Sequence, residues 1–330
     1  MRKVKIAQIG TNRTSHGIMT FDSLCKQSEV FDLTAVAFPE RERERFPEIV
    51  ERMSAVPEKS VEEILSDPTV EAVAVETEEP YLTKYALMAI RAGKHVHMEK
   101  PGGFDLAAFE ELIAAVKASG KVFHIGYMYR YNPVIQEVFR RAKAGEFGEI
   151  VSVEAQMNCR HDEATRRWLE TVPGGMMFFL GCHLIDLALQ LQGEPQEILP
   201  MNRTTGCEGV GCEDFGMAIL RYPRGNTLIK TYDYERGGYL RRQLVITGTK
   251  ATVEIKPIEW YREGGQYTDW RLYTVDSWLD AGESFSVGPY DRYDGMMRAF
   301  AEYITGEAQN PYSPDWELTV YRTLLRCCGR

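Results

Sequence analysis

The chain has 330 residues, 44% apolar and 26% charged, which suits two globular domains better than one small core. With 39 Lys and Arg against 48 Asp and Glu, the net charge is −9, so no nucleic-acid or anionic-membrane partner is expected. No run reaches the ~18 apolar residues of a membrane helix, and MRKVKIAQIG opens an alternating strand rather than a signal peptide.

In chain order, residues 1–126 alternate short apolar strands with helical patterns. The strands are expected at 4–10, 33–38, 70–77, 95–98 and 122–126. Between them, Ser60 and Glu63 make a capping box, and Gly93 closes a stripe of Leu82, Tyr85, Ala86, Ala89 and Ile90. Asp105 precedes the stripe Leu106, Phe109, Leu112, Ile113 and Val116, which Gly120 ends. Nearly continuous apolar strands separated by helices predict an α/β, doubly wound parallel sheet, with ligands beyond the carboxyl ends of its strands.

From residue 127 to 330 a second, α+β domain is expected. Asn132-Pro133 starts a helix reaching about Ala144. Period-two strands follow, with Val151, Val153, Ala155 and Met157 on one face. Phe215, Met217 and Ile219 form another such face, as do Leu244 with Ile246 and Val253 with Ile255. Half-polar strands joined by RGN and TGTK predict a mostly antiparallel sheet. Helices are expected at 181–192, 293–305 and 314–326. The seven cysteines are odd in number and irregularly spaced, and Cys207/Cys212 and Cys327–Cys328 lack completing ligands. Neither a disulfide framework nor a metal site is expected, and a cytoplasmic location is.

Two segments carry candidate chemistry. HVHMEKPGG, residues 95–103, puts Glu99, Lys100 and Pro101 just past a strand end. A lysine desolvated there beside a carboxylate can hydrogen-bond a substrate hydroxyl or pass a proton. In residues 173–193, His183 and Asp186 stand one helical turn apart, so the acid could orient the imidazole. A surface lysine and a packed histidine are the ordinary alternatives.

The order of Gly10 after the first strand, AGKHVHMEKP, GYMYRYNP, GEFGEI and GCHLID resembles the glucose–fructose oxidoreductase/inositol dehydrogenase (Gfo/Idh/MocA) family along essentially the whole chain. The resemblance implies an NAD(P)-dependent oxidoreductase of sugars, polyols or sugar acids. Its amino-terminal domain would be of the Rossmann type, and its second domain would carry a large sheet that often makes the subunit interface. A homodimer or homotetramer is therefore expected. The family lysine falls on Lys100 and the family histidine on His183. In the implied chemistry His183 takes the hydroxyl proton and Lys100 fixes that hydroxyl, while NAD or NADP performs the redox step.

Three departures qualify this. Phe179 stands four residues before His183, where the family usually has aspartate. Phe38-Pro39 occupies the usual place of the ribose-binding acid, leaving Glu40, Arg41 and Arg43 to decide between NAD and NADP. In GTNRTSHG only Gly10 of the glycine fingerprint remains. Thr11, Asn12 and Arg13 are the other expected cofactor contacts of this turn. Asn12 is expected to tolerate left-handed backbone angles, Ser15 to allow close helix packing, and Arg13 to face a diphosphate. Thr77 is kept in VETEEPYL, though Glu78 and Glu79 add negative charge nearby. Further substrate contacts are expected from Tyr129, Arg130, Arg160, His161, Trp168, Phe179 and Asp186. Arg166 and Arg167 extend that set, against surface ion pairs with Glu163 and Glu170 as the alternative. Loss of the usual aspartate also leaves room for a redox-neutral enzyme that keeps NAD(H) bound (elimination, epimerisation or glycoside cleavage), or for a non-catalytic sugar-binding descendant.

Overall fold

A computed structural model describes residues 2–14, 16–262 and 264–330. Ser15, the third fingerprint position, lies outside them. The chain forms two compact units, Met1–Met128 with Arg292–Leu318, and Tyr129–Asp291 with Thr319–Arg330.

The first unit begins β1 (Val4–Ile9), α1 (His16–Lys26), β2 (Phe31–Ala37), α2 (Glu42–Arg45), α3 (Pro47–Arg52) and α4 (Val61–Ser66). It continues β3 (Ala72–Val75), α5 (Glu79–Arg91), β4 (His95–Met98), α6 (Leu106–Ser119) and β5 (Phe123–Ile125). The strands form one parallel sheet in the order β2-β1-β3-β4-β5. Reversal of strand order beside β1 makes the switch point at which such sheets take ligands. The local signals act as their chemistry requires. Ser60 and Glu63 exchange both capping-box bonds, Asp105 accepts from the Ala107 and Ala108 amides, and Gly120 turns left-handed at φ 64°.

The second unit holds α7 (Pro133–Lys143), β6 (Ile150–Asn158), α8 (Glu163–Leu169), a π-helical turn at Met177–Gly181 and α9 (Cys182–Gln192). Strands β7 (Glu197–Pro200), β8 (Phe215–Arg221), β9 (Asn226–Tyr232), β10 (Gln243–Gly248) and β11 (Thr252–Ile255) follow. The sheet is completed by β12 (Trp260–Arg262), β13 (Gly265–Tyr273) and β14 (Glu283–Tyr290). It runs β12-β13-β11-β10-β6-β9-β8-β7, with β14 also on β13, and is antiparallel except where β6 meets β9. Register aligns its buried face: Ile255, Leu244, Ala155, Ile229 and Ala218 stand opposite one another across five strands. Helix α9 covers β6 and β9.

The faces expected on β6, β10 and β11 are the buried ones, but β8 is inverted. Gly216, Ala218 and Leu220 point inward, while Phe215, Met217 and Ile219 are half-exposed. The cause is space, because a Cβ on Gly216 would lie 2.5 Å from Thr231 Oγ1 and 3.0 Å from Met177. The inner face there is too crowded for the larger side chains.

Of the last elements, α10 (Asp294–Thr305) lies in the first unit, and α11 (Pro314–Cys327) begins there and continues in the second. Residues Arg292–Leu318 belong to the first unit, not to a continuous domain 127–330. Helix α10 packs on α1 and β1 and buries Met296, Met297, Phe300 and Ala301. Its Phe300 stacks on His124 at 5.4 Å and 13°. Burial of this apolar face is what draws the chain back.

Candidate active site

The turn after β1 is shaped by close approach. Gly10 has φ 88°, and a Cβ there would lie 2.4 Å from Thr77 Cγ2 and 2.8 Å from the Thr77 amide nitrogen. Only glycine fits, which explains both Gly10 and its partner Thr77. Asn12 does not adopt left-handed angles, since among the described residues the positive-φ positions other than glycine are Glu40, Arg41 and Glu208. Its side chain instead locks the turn, donating to the Glu76 carbonyl at 3.2 Å and accepting from the Thr14 amide at 3.1 Å. Thr14 Oγ1 also donates to the Asn12 side-chain oxygen at 2.7 Å, so the residue braces the loop. Gly17 on α1 also packs closely: a Cβ there would stand 3.1 Å from Thr11 Oγ1 and 3.4 Å from Glu76 Cβ.

Arg13 is already paired. Its Nε donates to Glu78 Oε1 at 2.7 Å, and Arg45 holds the other oxygen of the same carboxylate. Glu78 is therefore neutralised rather than a bare acid facing the groove. Glu42 is 1% exposed, and burial pushes its carboxyl from 4.5 up to about 9 despite the Thr11 backbone and Arg45. Burial likewise raises Glu79 to about 7, with Lys100 opposing.

At the carboxyl end of β2, Phe38 and Pro39 line a cleft of about 610 Å³ with Lys59, Lys84, Tyr85 and Met88. This is the volume of a small-molecule site. Arg43 lies 5.9 Å over the Phe38 ring and is paired with Glu58. Glu40 turns to α5, accepting from Tyr85 Oη and Lys84 Nζ, each at 2.7 Å. The position usually held by a ribose acid is thus an apolar ring among fixed ion pairs.

Beyond β4, Lys100 is fully buried, with its ammonium 3.8 Å from Glu99 Oε1. Glu99, itself 4% exposed, also faces His16 Nδ1 at 3.1 Å. Burial opposes charge on Glu99, but His16, Lys100 and His97 together hold its carboxyl below the ordinary value. Nearby, His97 and His124 meet Nδ1 to Nδ1 at 2.7 Å, and His97 Nε2 lies 3.3 Å from Glu76. Burial raises the Glu76 carboxyl, with His97 opposing.

In the second unit His183 is 1% exposed at the start of α9, and Tyr129 packs edge-on against it at 5.0 Å and 90°. Tyr129 Oη donates to Glu259, which Arg242 also meets at 3.0 Å, a buried network with no local sequence signal. Asp186 is committed elsewhere. Arg130 donates to its two oxygens at 3.0 and 2.7 Å, and Gln190 adds 2.8 Å. Arg130 and Asp186 form a buried ion pair. Arg166 is likewise absorbed by Asp233, Asp214 and Glu208, and Arg167 pairs with Glu163 on the surface. Arg160 pairs with Glu208 over the Tyr234 ring. Phe179, in the π-helical turn, gathers Trp168 edge-on at 5.3 Å and His161 at 6.0 Å. Among the described residues no group of three or more His, Cys, Asp or Glu side chains is arranged to hold a metal ion, and no helix is long and apolar enough to cross a membrane.

A switch-point turn closed over Gly10, a ligand-sized cleft at β2 and a buried lysine past β4 suit a dinucleotide, and they define the first unit as an NAD-binding Rossmann domain. The chain belongs to the GFO/IDH/MocA oxidoreductase family. Residues 4–127 match its NAD-binding Rossmann model and residues 135–254 match a GFO/IDH/MocA C-terminal domain. It is 27% identical over 256 residues to a 1,5-anhydro-D-fructose reductase of Ensifer adhaerens, covering 76% of this chain and 74% of that one. It is 29% identical over 140 residues to scyllo-inositol 2-dehydrogenase (NADP(+)) of Bacillus subtilis, covering 42% and 39%. The fold matches a 3-ketoreductase of Actinomadura kijaniata, solved with NADP and TDP-benzene, at TM-score 0.78 and 18% identity, over 98% and 96% of the two chains.

Proposed function

We propose that the protein is an NAD(P)-dependent dehydrogenase or reductase of a sugar, polyol or sugar-acid CH–OH group. The observation that carries this reading is Lys100, fully buried beside Glu99 at the carboxyl end of β4 in an NAD-binding fold. Gly10, Thr11, Thr77 and Phe38 would hold the dinucleotide, with Arg13 shared between Glu78 and its diphosphate. Bound NAD(P) supplies the hydride acceptor or donor. Lys100 orients the substrate hydroxyl and steadies negative charge developing on its oxygen. His183, kept from water and wedged by Tyr129, exchanges the hydroxyl proton. Relatives that act on an anhydro-sugar and an inositol support this substrate class. The outer side of β8, where Phe215, Met217 and Ile219 are half-exposed, supports a homodimer or homotetramer.

The test is a fluorescence titration with NADH and NADPH, then a panel of sugars, polyols and sugar acids followed at the NADH absorbance band. Binding with turnover supports the reading, and binding of neither coenzyme defeats it. A second reading is favoured by Phe179, a ring packed on Trp168 where a proton-relaying carboxylate would otherwise stand. On that reading the enzyme oxidises its substrate only transiently. Product would then form with no net change in NADH absorbance.

A further inference from the structure

His16 opens α1 immediately after the phosphate turn, yet its imidazole is directed at the segment beyond β4 rather than outward. Its Nδ1 stands 3.1 Å from Glu99 Oε1, the same oxygen that lies 3.8 Å from the Lys100 ammonium. The other Glu99 oxygen occupies room left by Gly126, where a Cβ would come within 2.7 Å. Tyr293 closes the far side of the imidazole edge-on, at 6.1 Å and 87°. All three side chains in the row are 12% exposed or less, so little solvent screens them.

In the structure Nδ1 is buried close to Glu99 but makes no aligned hydrogen bond to any group among the described residues. We propose that His16 is a positioning residue whose ring turns slightly to donate its Nδ1–H to Glu99, so that this carboxylate stays charged and holds the Lys100 ammonium in place. The proposal rests on the reading of Lys100 as the group that orients substrate. Its chemistry follows from what the two facing atoms can do. A carboxylate only accepts, so a bare Nδ1 lone pair opposite it would be repelled, and the proton belongs on Nδ1 whether the ring is neutral or charged. Burial, Lys100 and Arg292 favour the neutral ring, while Glu99 favours the cation. The other titratable groups bearing on Glu99 are His97, Glu76 and Glu79. A neutral ring protonated on Nδ1 needs no net charge of its own to do this work. The arrangement also ties the phosphate turn to the lysine through a single carboxylate.

The test needs neither coenzyme nor substrate. In protein with ¹⁵N-labelled histidine, the ring-nitrogen shifts near neutral pH should show Nδ1 of His16 protonated, with assignment from the missing signal in His16→Asn. A ring protonated on Nε2 alone would overturn the proposal. The second readout is the ¹⁵N signal of the Lys100 ammonium, visible when the group is held away from water. It should persist in His16→Asn, whose amide can replace the Nδ1 donor, and be lost in His16→Leu. If His16→Leu does not fold, Glu99→Gln carries the same expectation of loss. An ammonium signal unchanged in the folded variant overturns the inference. Failure of the dehydrogenase reading would show separately, as wild-type protein binding neither NADH nor NADPH.

Discussion

Replacing Gly10 with alanine separates two demands that the turn makes on one residue. The backbone sits at φ 88°, where an L side chain is strained by about 1–3 kcal/mol. The new methyl also meets Thr77 Cγ2 at 2.4 Å, its amide nitrogen at 2.8 Å and its Cα at 2.9 Å. These atoms belong to backbone and to a β-branched side chain, so they cannot swing aside, and overpacking adds about 1–3 kcal/mol. The stiffer unfolded chain returns about 0.4–1 kcal/mol. A net loss of about 1–6 kcal/mol is expected. Gly93→Ala is the control, since Gly93 has φ 77° with nothing within 4 Å of a built Cβ. It should lose only the backbone part, about 0–2 kcal/mol. Urea unfolding followed by circular dichroism compares the two through their midpoints and slopes. NADH affinity, by fluorescence, should fall in Gly10→Ala and hold in Gly93→Ala. If both variants unfold at the same urea concentration, close contact with Thr77 is not what selects glycine here.

Lys100→Met and His183→Ala should each lower turnover by ~10²-fold or more while the far-ultraviolet spectrum stays native, and near-normal rates would remove that residue from the proposed chemistry. Arg130→Met leaves the Asp186 charge buried, so a loss of about 3–5 kcal/mol is expected, visible as a lowered thermal midpoint. Arg130→Met with Asp186→Leu should recover part of that loss, and a double variant as unstable as the sum of two singles would contradict the pairing. Glu42 is protonated in the fold up to about 9 but ionises near its ordinary 4.5 when unfolded. Its contribution is therefore full below the ordinary value and is lost as pH rises toward 9. Glu42→Gln should flatten that decline in a pH series of thermal midpoints, whereas parallel curves for the two proteins would show that Glu42 is not the source.

The parts of the fold readable from sequence were those set by near neighbours. Ser60 with Glu63, Asp105 at a helix start and Asn132 before Pro133 all involve atoms within three residues. Period-two alternation placed β6, β10 and β11 correctly for the same reason, but failed on β8, where Gly216 yields to Met177 and Thr231 from other elements. Lys100 and His183 stood out because strand ends and helix starts present chemistry. Their surroundings did not. Arg130 is 56 residues from Asp186, Tyr129 is 130 from Glu259, and no periodicity carries such pairings. For Arg13, Asn12 and Arg166, composition shows charge and polarity but not the partners they meet in the fold: Glu78, the Glu76 carbonyl and Asp233.

The return of Arg292–Leu318 to the first unit bears on how the polypeptide is made. A ribosome that has released residues 1–128 has produced five parallel strands but not the helix that stacks on His124 and rests against α1. The nascent amino-terminal lobe must wait, with an apolar flank bare, until synthesis is almost finished. Cutting the gene after codon 128 would accordingly yield an insoluble fragment, and an expressible Rossmann module would need the late helix grafted back on a linker.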